Sequence, residues 1–247
     1  MKLQLTKDLI EWTRDYLNSF GGNTRAVIGI SGGKDSSVAA AICVEAVGKE
    51  RVIGVLLPQG HQHDKDKAEE LVKFLGIPSY EFNIKDTIDT ISATLFGEFT
   101  DAVINNTVYY SNTPARVRMT YLYSVAALLG DARVVNTCNR SEDYVGYATK
   151  FGDGAGDFSL LSNLCVKEVL EVGEDLGLPM DLVHKAPEDG LSGLTDEENL
   201  GFTYATLDNY LLNGVLPSEN ILKNIEKRHM QNLHKITPMP SFVKREE

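Results

Sequence analysis

Ile28-Gly29-Ile30-Ser31-Gly32-Gly33-Lys34-Asp35-Ser36-Ser37 decides how this chain is read. The apolar residues Ala26 to Ile30 predict a short strand running straight into the serine. The Ala-rich run Ser36 to Val47 predicts a helix leaving on the other side. Gly32 and Gly33 let the backbone turn tightly and aim its N–H groups inward at an anion. The helix start adds free N–H groups and the positive end of a dipole. Ser31, Ser36 and Ser37 bring hydroxyls, Lys34 a charge, and Asp35 a hard oxygen ligand suited to magnesium. The segment is a phosphate cradle, but its spacing is not that of a Walker A loop.

Outward from the cradle, strands and helices alternate. Leu9, Trp12, Tyr16 and Phe20 mark a helix that Gly21-Gly22 ends. Val52–Leu57 is a continuous apolar run, hence a buried parallel strand. A helix over Lys65–Leu75 and a third strand over Tyr80–Asn83 follow. Ile84, Ile88, Ile91 and Leu95 mark a further helix. The polar stretch Asn105–Pro114 reads as a loop, Ala115–Leu129 as a helix and Val134–Thr137 as strand four. The expected fold is α/β: a doubly wound parallel sheet of order 3-2-1-4, with room for a further strand and helices on both faces.

In that order strand four lies across strand one, at the point where ligands bind the carboxyl ends of the strands. The loop Ser31–Ser37 should therefore face the loop Thr137–Glu142. Strand order alone brings Asp35 and Glu142 together, and two carboxylates from two loops suit a magnesium ion on a triphosphate. Glu142 by itself reads as a solvated acid; its place after strand four gives it a role.

The second half is loops and helices. Lys150–Asp157 is Gly-rich and acidic, a segment expected to stay mobile until ligand arrives. Helices are expected over Lys167–Leu176, Thr203–Leu212 and Ser218–Leu233. Glu188–Gly201 reads as a polar loop, although Asp196-Glu197-Glu198 after Thr195 also fits a charged first helical turn. No linker divides the chain, so residues 1–247 are expected to form one domain.

Composition limits the function. A net charge of −11 disfavours broad nucleic-acid binding, and it demands local cations or a metal to hold an anionic substrate. No apolar run approaches a membrane span and the N-terminus lacks a signal sequence. Cys43, Cys138 and Cys165 are odd in number and far apart, which fits a reducing cytoplasm. His61 and His63 lack a third ligand in sequence and read as surface residues. Cys138 has no activating neighbour in sequence and reads as packing.

The motifs resemble a family. Ser31-Gly32-Gly33-Lys34-Asp35-Ser36 is similar to the Ser-Gly-Gly-x-Asp-Ser signature of the ATP pyrophosphatase, or adenine nucleotide alpha hydrolase, superfamily. Asn112–Met119, Asn136–Glu142, Gly146–Asp153 and Thr195–Gly201 resemble ammonia-dependent NAD synthetase, and so does His234-Lys235 before Pro238. The resemblance implies a magnesium-dependent ligase of NAD biosynthesis. The nicotinate carboxylate of deamido-NAD would attack the α-phosphorus of ATP, releasing pyrophosphate, and free ammonia would then displace AMP to give NAD. It implies that Gly29, Ile30, Ser31, Gly32, Gly33, Lys34, Asp35 and Ser36 hold the ATP phosphates, and Thr137 the adenosine. Asp35 and Glu142 would bind magnesium. Arg116, Lys150, Asp157, His234 and Lys235 would bind deamido-NAD. Asp153 would lie in the loop that closes over the reacting centre, where its carboxylate is expected to help remove a proton from the incoming ammonium; Asp35 and Asp153 are the catalytic candidates. A cytoplasmic homodimer is implied as well.

Two positions depart from that pattern. Leu160 and Val166 stand where most members carry a proline and a phosphate-binding lysine, with Lys167 one place late. Pro187-Glu188-Asp189-Gly190 puts a carboxylate where a hydroxyl is usual. Lys167, Lys185 or Lys34 is left to supply the charge. Two other readings stay open: an ATP-pyrophosphatase ligase with another acceptor, and a non-catalytic adenine-nucleotide sensor.

Overall fold

A computed structural model describes residues 2–61, 65–99, 106–184 and 195–243. His63, Lys185 and the Pro187–Gly190 segment with Glu188 lie outside the described residues. Five strands, β1 (Arg25–Gly29), β2 (Val52–Leu56), β3 (Ser79–Glu81), β4 (Ala132–Asn136) and β5 (Phe158–Ser159), form one sheet of order β3-β2-β1-β4-β5. Every pairing is parallel, with Val27 opposite Ile53 on one side and Val134 on the other. The order agrees with the sequence expectation, and β5 is the further strand.

The sheet alternates its side chains between two cores. Ala26, Ile28, Val52 and Leu56 face one side, while Val27, Ile53, Val55 and Val134 face the other. α1 (Gln4–Asn18) and α2 (Lys34–Val47) cover the first side, with α7 (Val166–Asp175) and α8 (Met180–Val183) packed on α2. Val38, Ala39, Ala40 and Ile42 are fully enclosed, because α2 lies between the sheet and other helices. Burying Val38 and Ile42 contributes about 1.5–3 kcal/mol each. α4 (Lys85–Phe96) and α5 (Thr107–Leu129) cover the second side.

A third core gathers the C-terminal helices. α6 (Arg140–Val145), α9 (Asp196–Leu200), α10 (Tyr204–Asn213) and α11 (Glu219–Ile236) meet through Val145, Val166, Leu200, Leu207 and Ile225. Buried Ser141 and Asp208 bond one another and cap α7, where Val166 N donates to Ser141 Oγ (3.2 Å) and Lys167 N to Asp208 Oδ2 (2.7 Å). The lysine expected at the site through Lys167 is thereby turned outward. Its ammonium faces Glu171 at 3.9 Å with 69 % of the side chain exposed.

Two readings of the sequence need correction. The stretch expected as a loop over Asn105–Pro114 is helical from Thr107, because Asn106 caps the start and Tyr109 is tied to Ser92 at 2.9 Å. Pro114 is buried inside that helix. The loop expected over Glu188–Gly201 ends in α9, whose Thr195 and Glu198 form a capping box, as the charged first turn suggested. The Gly-rich stretch is anchored: Asn136 Nδ2 donates to Asp153 O (2.9 Å) and Ala155 O (3.0 Å).

Candidate functional site

β1 ends at the cradle and β4 ends at residues 137–139, so the sheet delivers two loops to one place. Gly32 takes φ +74°, and a Cβ there would lie 2.7 Å from the backbone nitrogen of Ala68. Only glycine permits that turn against α3 (Lys65–Leu75). The serine hydroxyls brace the loop from within. Ser37 Oγ donates to Gly33 O at 2.7 Å, and Ser31 Oγ lies 3.0 Å from Ser36 Oγ.

Asp35 and Glu142 meet around one cation, the ammonium of Lys34. It lies 2.7 Å from Asp35 Oδ2 and 3.4 Å from Glu142 Oε1. Burial disfavours the Lys34 charge, but the two carboxylates outweigh it and hold the ammonium above its usual range. Burial pushes the Glu142 carboxyl up, and the Asp35 charge adds to that, against the pull of Lys34. Asn139, wholly buried, organises both acids: its Nδ2 donates to Asp35 Oδ1 (2.9 Å), and its Oδ1 accepts Glu142 N (3.0 Å). Hard oxygens from two loops converging on one positive charge fit magnesium.

The second half of the site is the Gly-rich loop against α5 and α11. Arg116 Nε donates to Lys150 O at 3.2 Å, and Lys150 Nζ donates to His234 O. Lys235 Nζ donates to Gly146 O at 2.7 Å, and burial lowers its ammonium against the Asp153 charge. Arg116, Lys150, His234 and Lys235 therefore come together from three segments. Asp153 Oδ1 accepts Thr149 N at 2.7 Å, while burial raises its carboxyl above the usual range. A cavity of about 260 Å³ lined by Asn136, Asp143, Lys150 and Lys235 lies beside it. An open cleft of about 600 Å³ runs past Arg116, Tyr123 and Phe151. Phe151 holds φ +64°, the left-handed region that non-glycine residues enter at a cost.

Asp157 lines the same cavity as Lys150 and Lys235 and is tied to the sheet beside it. Its Oδ2 accepts Val134 N (2.7 Å) and its Oδ1 faces Tyr123 OH (3.4 Å), so its carboxylate extends the β4 edge. Thr137 is half-buried where β4 ends. Cys138 is buried, its thiol pushed up by burial, and its Sγ donates to Asp153 O at 3.2 Å, as packing requires. His61 is exposed. Leu160 and Val166 are core residues.

Asn139, Arg118 and Asp143 also belong to the site, although their sequence context gave none of them a role of its own. Asn139-Arg140-Ser141-Glu142 has the spacing of a helix start, which could have exposed Asn139 as a cap. Arg118 Nε donates to Leu57 O at the end of β2, and burial lowers its guanidinium against the Asp153 charge. Asp143 is pushed up to about 6 by burial and the Asp153 charge; no motif marked it.

Residues 5–247 match the family described as NAD synthase. The chain belongs to the NAD synthase family. Among NAD synthase relatives, the NH3-dependent NAD+ synthetase of Pyrococcus furiosus is 39 % identical over 223 residues, 85 % of this chain and 84 % of the relative. That of Finegoldia magna is 35 % identical over 242 residues, 97 % of this chain and 95 % of the relative. The solved structure of an NMN synthetase from Francisella tularensis superposes with TM-score 0.86 at 34 % identity, covering 97 % of this chain and 98 % of that one. An NH3-dependent NAD synthetase from Campylobacter jejuni, in complex with nitrate, gives TM-score 0.76 at 25 % identity over 98 % of both chains.

Proposed function

We propose that this NAD synthase family member converts deamido-NAD to NAD with ATP and free ammonia, releasing AMP and pyrophosphate. The observation that carries the reading is the convergence of Asp35, Lys34 and Glu142 at the carboxyl ends of β1 and β4.

The chemistry needs positioning and charge more than a protein nucleophile. The nicotinate carboxylate oxygen bonds to the α-phosphorus as the bond to pyrophosphate breaks. The nitrogen of ammonia then bonds to the acyl carbon, AMP departs with its oxygen, and the nitrogen loses a proton. Residues Gly29 to Ser36 cradle the phosphates through the backbone N–H groups of the loop and of α2. Thr137 contacts the adenosine half. Asp35 and Glu142 would hold magnesium, whose positive charge would stabilise the leaving pyrophosphate. Arg116, Lys150, His234 and Lys235 make the cationic wall for deamido-NAD, against the overall negative charge. Asp157, in the same cavity as Lys150 and Lys235, offers deamido-NAD a hydrogen-bond acceptor. Asp153, with its raised carboxyl, takes the proton from the incoming nitrogen.

The apolar stripe of α5 at Thr120, Tyr123 and Ala127 borders the substrate cleft and supports a homodimer with deamido-NAD near the interface. We place the enzyme in the cytoplasm as one domain. Its three cysteines are buried and free, and no helix among the described residues is long and apolar enough to cross a membrane.

A second acceptor has one observation in its favour: the superposition with TM-score 0.86 is on the NMN synthetase of Francisella tularensis. Purified protein with ATP, magnesium and ammonium, given each acceptor separately, decides. NAD and AMP from deamido-NAD with the higher kcat/KM is expected. NMN with the higher kcat/KM would move the assignment to the mononucleotide, and no AMP at any ammonium concentration would leave the nucleotide-sensor reading.

A further inference from the structure

Lys34 is 5 % exposed, and its ammonium is enclosed rather than extended toward the mouth of the cradle. Two faces of that ammonium meet Asp35 (2.7 Å) and Glu142 (3.4 Å). A third looks onto the ring of Tyr204, 5.7 Å away. Asn139 fixes the far oxygen of Asp35 and the backbone N–H of Glu142. The Asp35 carboxylate is thus held facing the cation, Glu142 is held by its backbone at the start of α6, and a side chain provides the cation.

We propose that Lys34 is a resident counter-ion that occupies the Asp35–Glu142 pair until the triphosphate arrives, so that the divalent cation enters together with nucleotide rather than alone. This rests on the reading of Asp35 and Glu142 as metal ligands. A magnesium ion needs those oxygens at about 2.0–2.1 Å, and an ammonium already in contact with the same atoms competes for the same space and charge. Without nucleotide, the displaced ammonium gives up both carboxylates with nothing in exchange, and what the metal gains the lysine loses. With a triphosphate in the cradle, the ammonium exchanges carboxylate for phosphate oxygen at little electrostatic cost. Lys34 directly follows Gly33, so its flexible stem starts at the lip of that cradle. Nucleotide and metal then favour one another through one side chain. The exchange also gives the chain a phosphate-binding cation, while Val166 is buried in the third core and Lys167 faces outward.

Binding of Mn²⁺, followed by the electron paramagnetic resonance of the free ion, tests the exchange on the nucleotide-free full chain. Lys34→Gln and Lys34→Met are expected to bind Mn²⁺ on the order of tenfold more tightly than the unsubstituted protein, within the range of ordinary coupling between exclusive sites. Added Mn²⁺ should raise their melting temperatures more than that of the unsubstituted protein. Affinity equal to or weaker than the unsubstituted protein's, or an early melt that Mn²⁺ does not recover, overturns the proposal. A separate arm compares the unsubstituted protein with Asp35→Asn, both holding α,β-methylene-ATP, which cannot be cut between its α and β phosphates. Retention of Mn²⁺ that depends on Asp35 leaves the metal-site reading standing whatever Lys34 does. Retention indifferent to Asp35 removes that reading and the proposal with it.

Discussion

Asn139 joins two tasks in one buried side chain: it caps α6 and it holds Asp35. Asn139→Ala removes both bonds and leaves polar atoms unmatched, so a loss of about 2 kcal/mol is expected, or roughly 4–8 °C in Tm for a chain of this size. Asn139→Asp keeps the cap but sets a third carboxylate against Asp35. A thermal melt should rank the Asn139→Asp variant above the Asn139→Ala variant at pH 4, where the carboxyls are partly protonated, and below it at pH 8. The same order at both pH values would remove the Asn139–Asp35 bond from the account. Cys43 makes a second statement at this scale. Burial pushes its thiol up to about 12, so it should resist a thiol reagent at pH 9 until the chain is unfolded. The linkage has a definite sign: above about pH 8.5 the unfolded thiol loses its proton and the folded one keeps it. This group therefore lowers stability by about 1.4 kcal/mol per pH unit until pH reaches about 12. Rapid labelling of folded Cys43 at pH 9 would contradict both.

Elements with a period were legible, and elements set by a partner were not. β1, β2 and α3 follow from apolar runs and glycine stops that act within a few residues. The first turns of α5 carry Asn112, Thr113 and Pro114, which locally favour a loop. They are helical because Asn106 caps them and because Pro114 is buried and Val117 packs in the core on that side of the sheet, which is information held elsewhere in the chain. The two residues of β5 are likewise defined by pairing to β4, not by their own pattern. The Gly-rich loop was legible as a site but not as a packed segment. Gly156 shows why: a Cβ there would stand 2.7 Å from Asn136 Cβ and 2.8 Å from its backbone nitrogen. Gly156→Ala must push the loop off β4, at a cost of about 1–3 kcal/mol. It should displace Asp153 with it, so amide formation should fall more than the release of pyrophosphate from ATP. Equal loss of both would mean that the loop serves the first step as much as the second.

For the whole molecule, the crossing of the chain from β3 to β4 did most to make the site readable. Strand order placed Asp35 against Glu142 before any contact was known, whereas the turn of Asp157 toward β4 and the inward turn of Lys34 depend on side-chain packing that order does not carry. Assembly is argued at this scale too. A chain of 27.2 kDa with net charge −11 repels its copies, so a homodimer needs an apolar face to offset that. The exposed residues Thr120, Tyr123 and Ala127 lie along one side of α5, and Leu128 beside them is 88 % exposed. Their spacing keeps them on one helical stripe, and the stripe continues into the cleft with Arg116 and Phe151. In a two-fold dimer each residue of such a stripe occurs on both sides of the contact. Ala127→Glu would therefore bring two carboxylates to the centre of the joint surface, each poorly hydrated there, while altering no contact within one chain's core. Sedimentation should show the unsubstituted protein at twice 27.2 kDa and the variant at 27.2 kDa, with an unchanged melt at low concentration. Because the cleft borders the stripe, KM for deamido-NAD should rise about tenfold or more, while KM for ATP, bound at the opposite end of the site, should hold. A variant that remains dimeric would place the interface elsewhere on the molecule. A monomer with unchanged deamido-NAD KM would separate assembly from substrate binding.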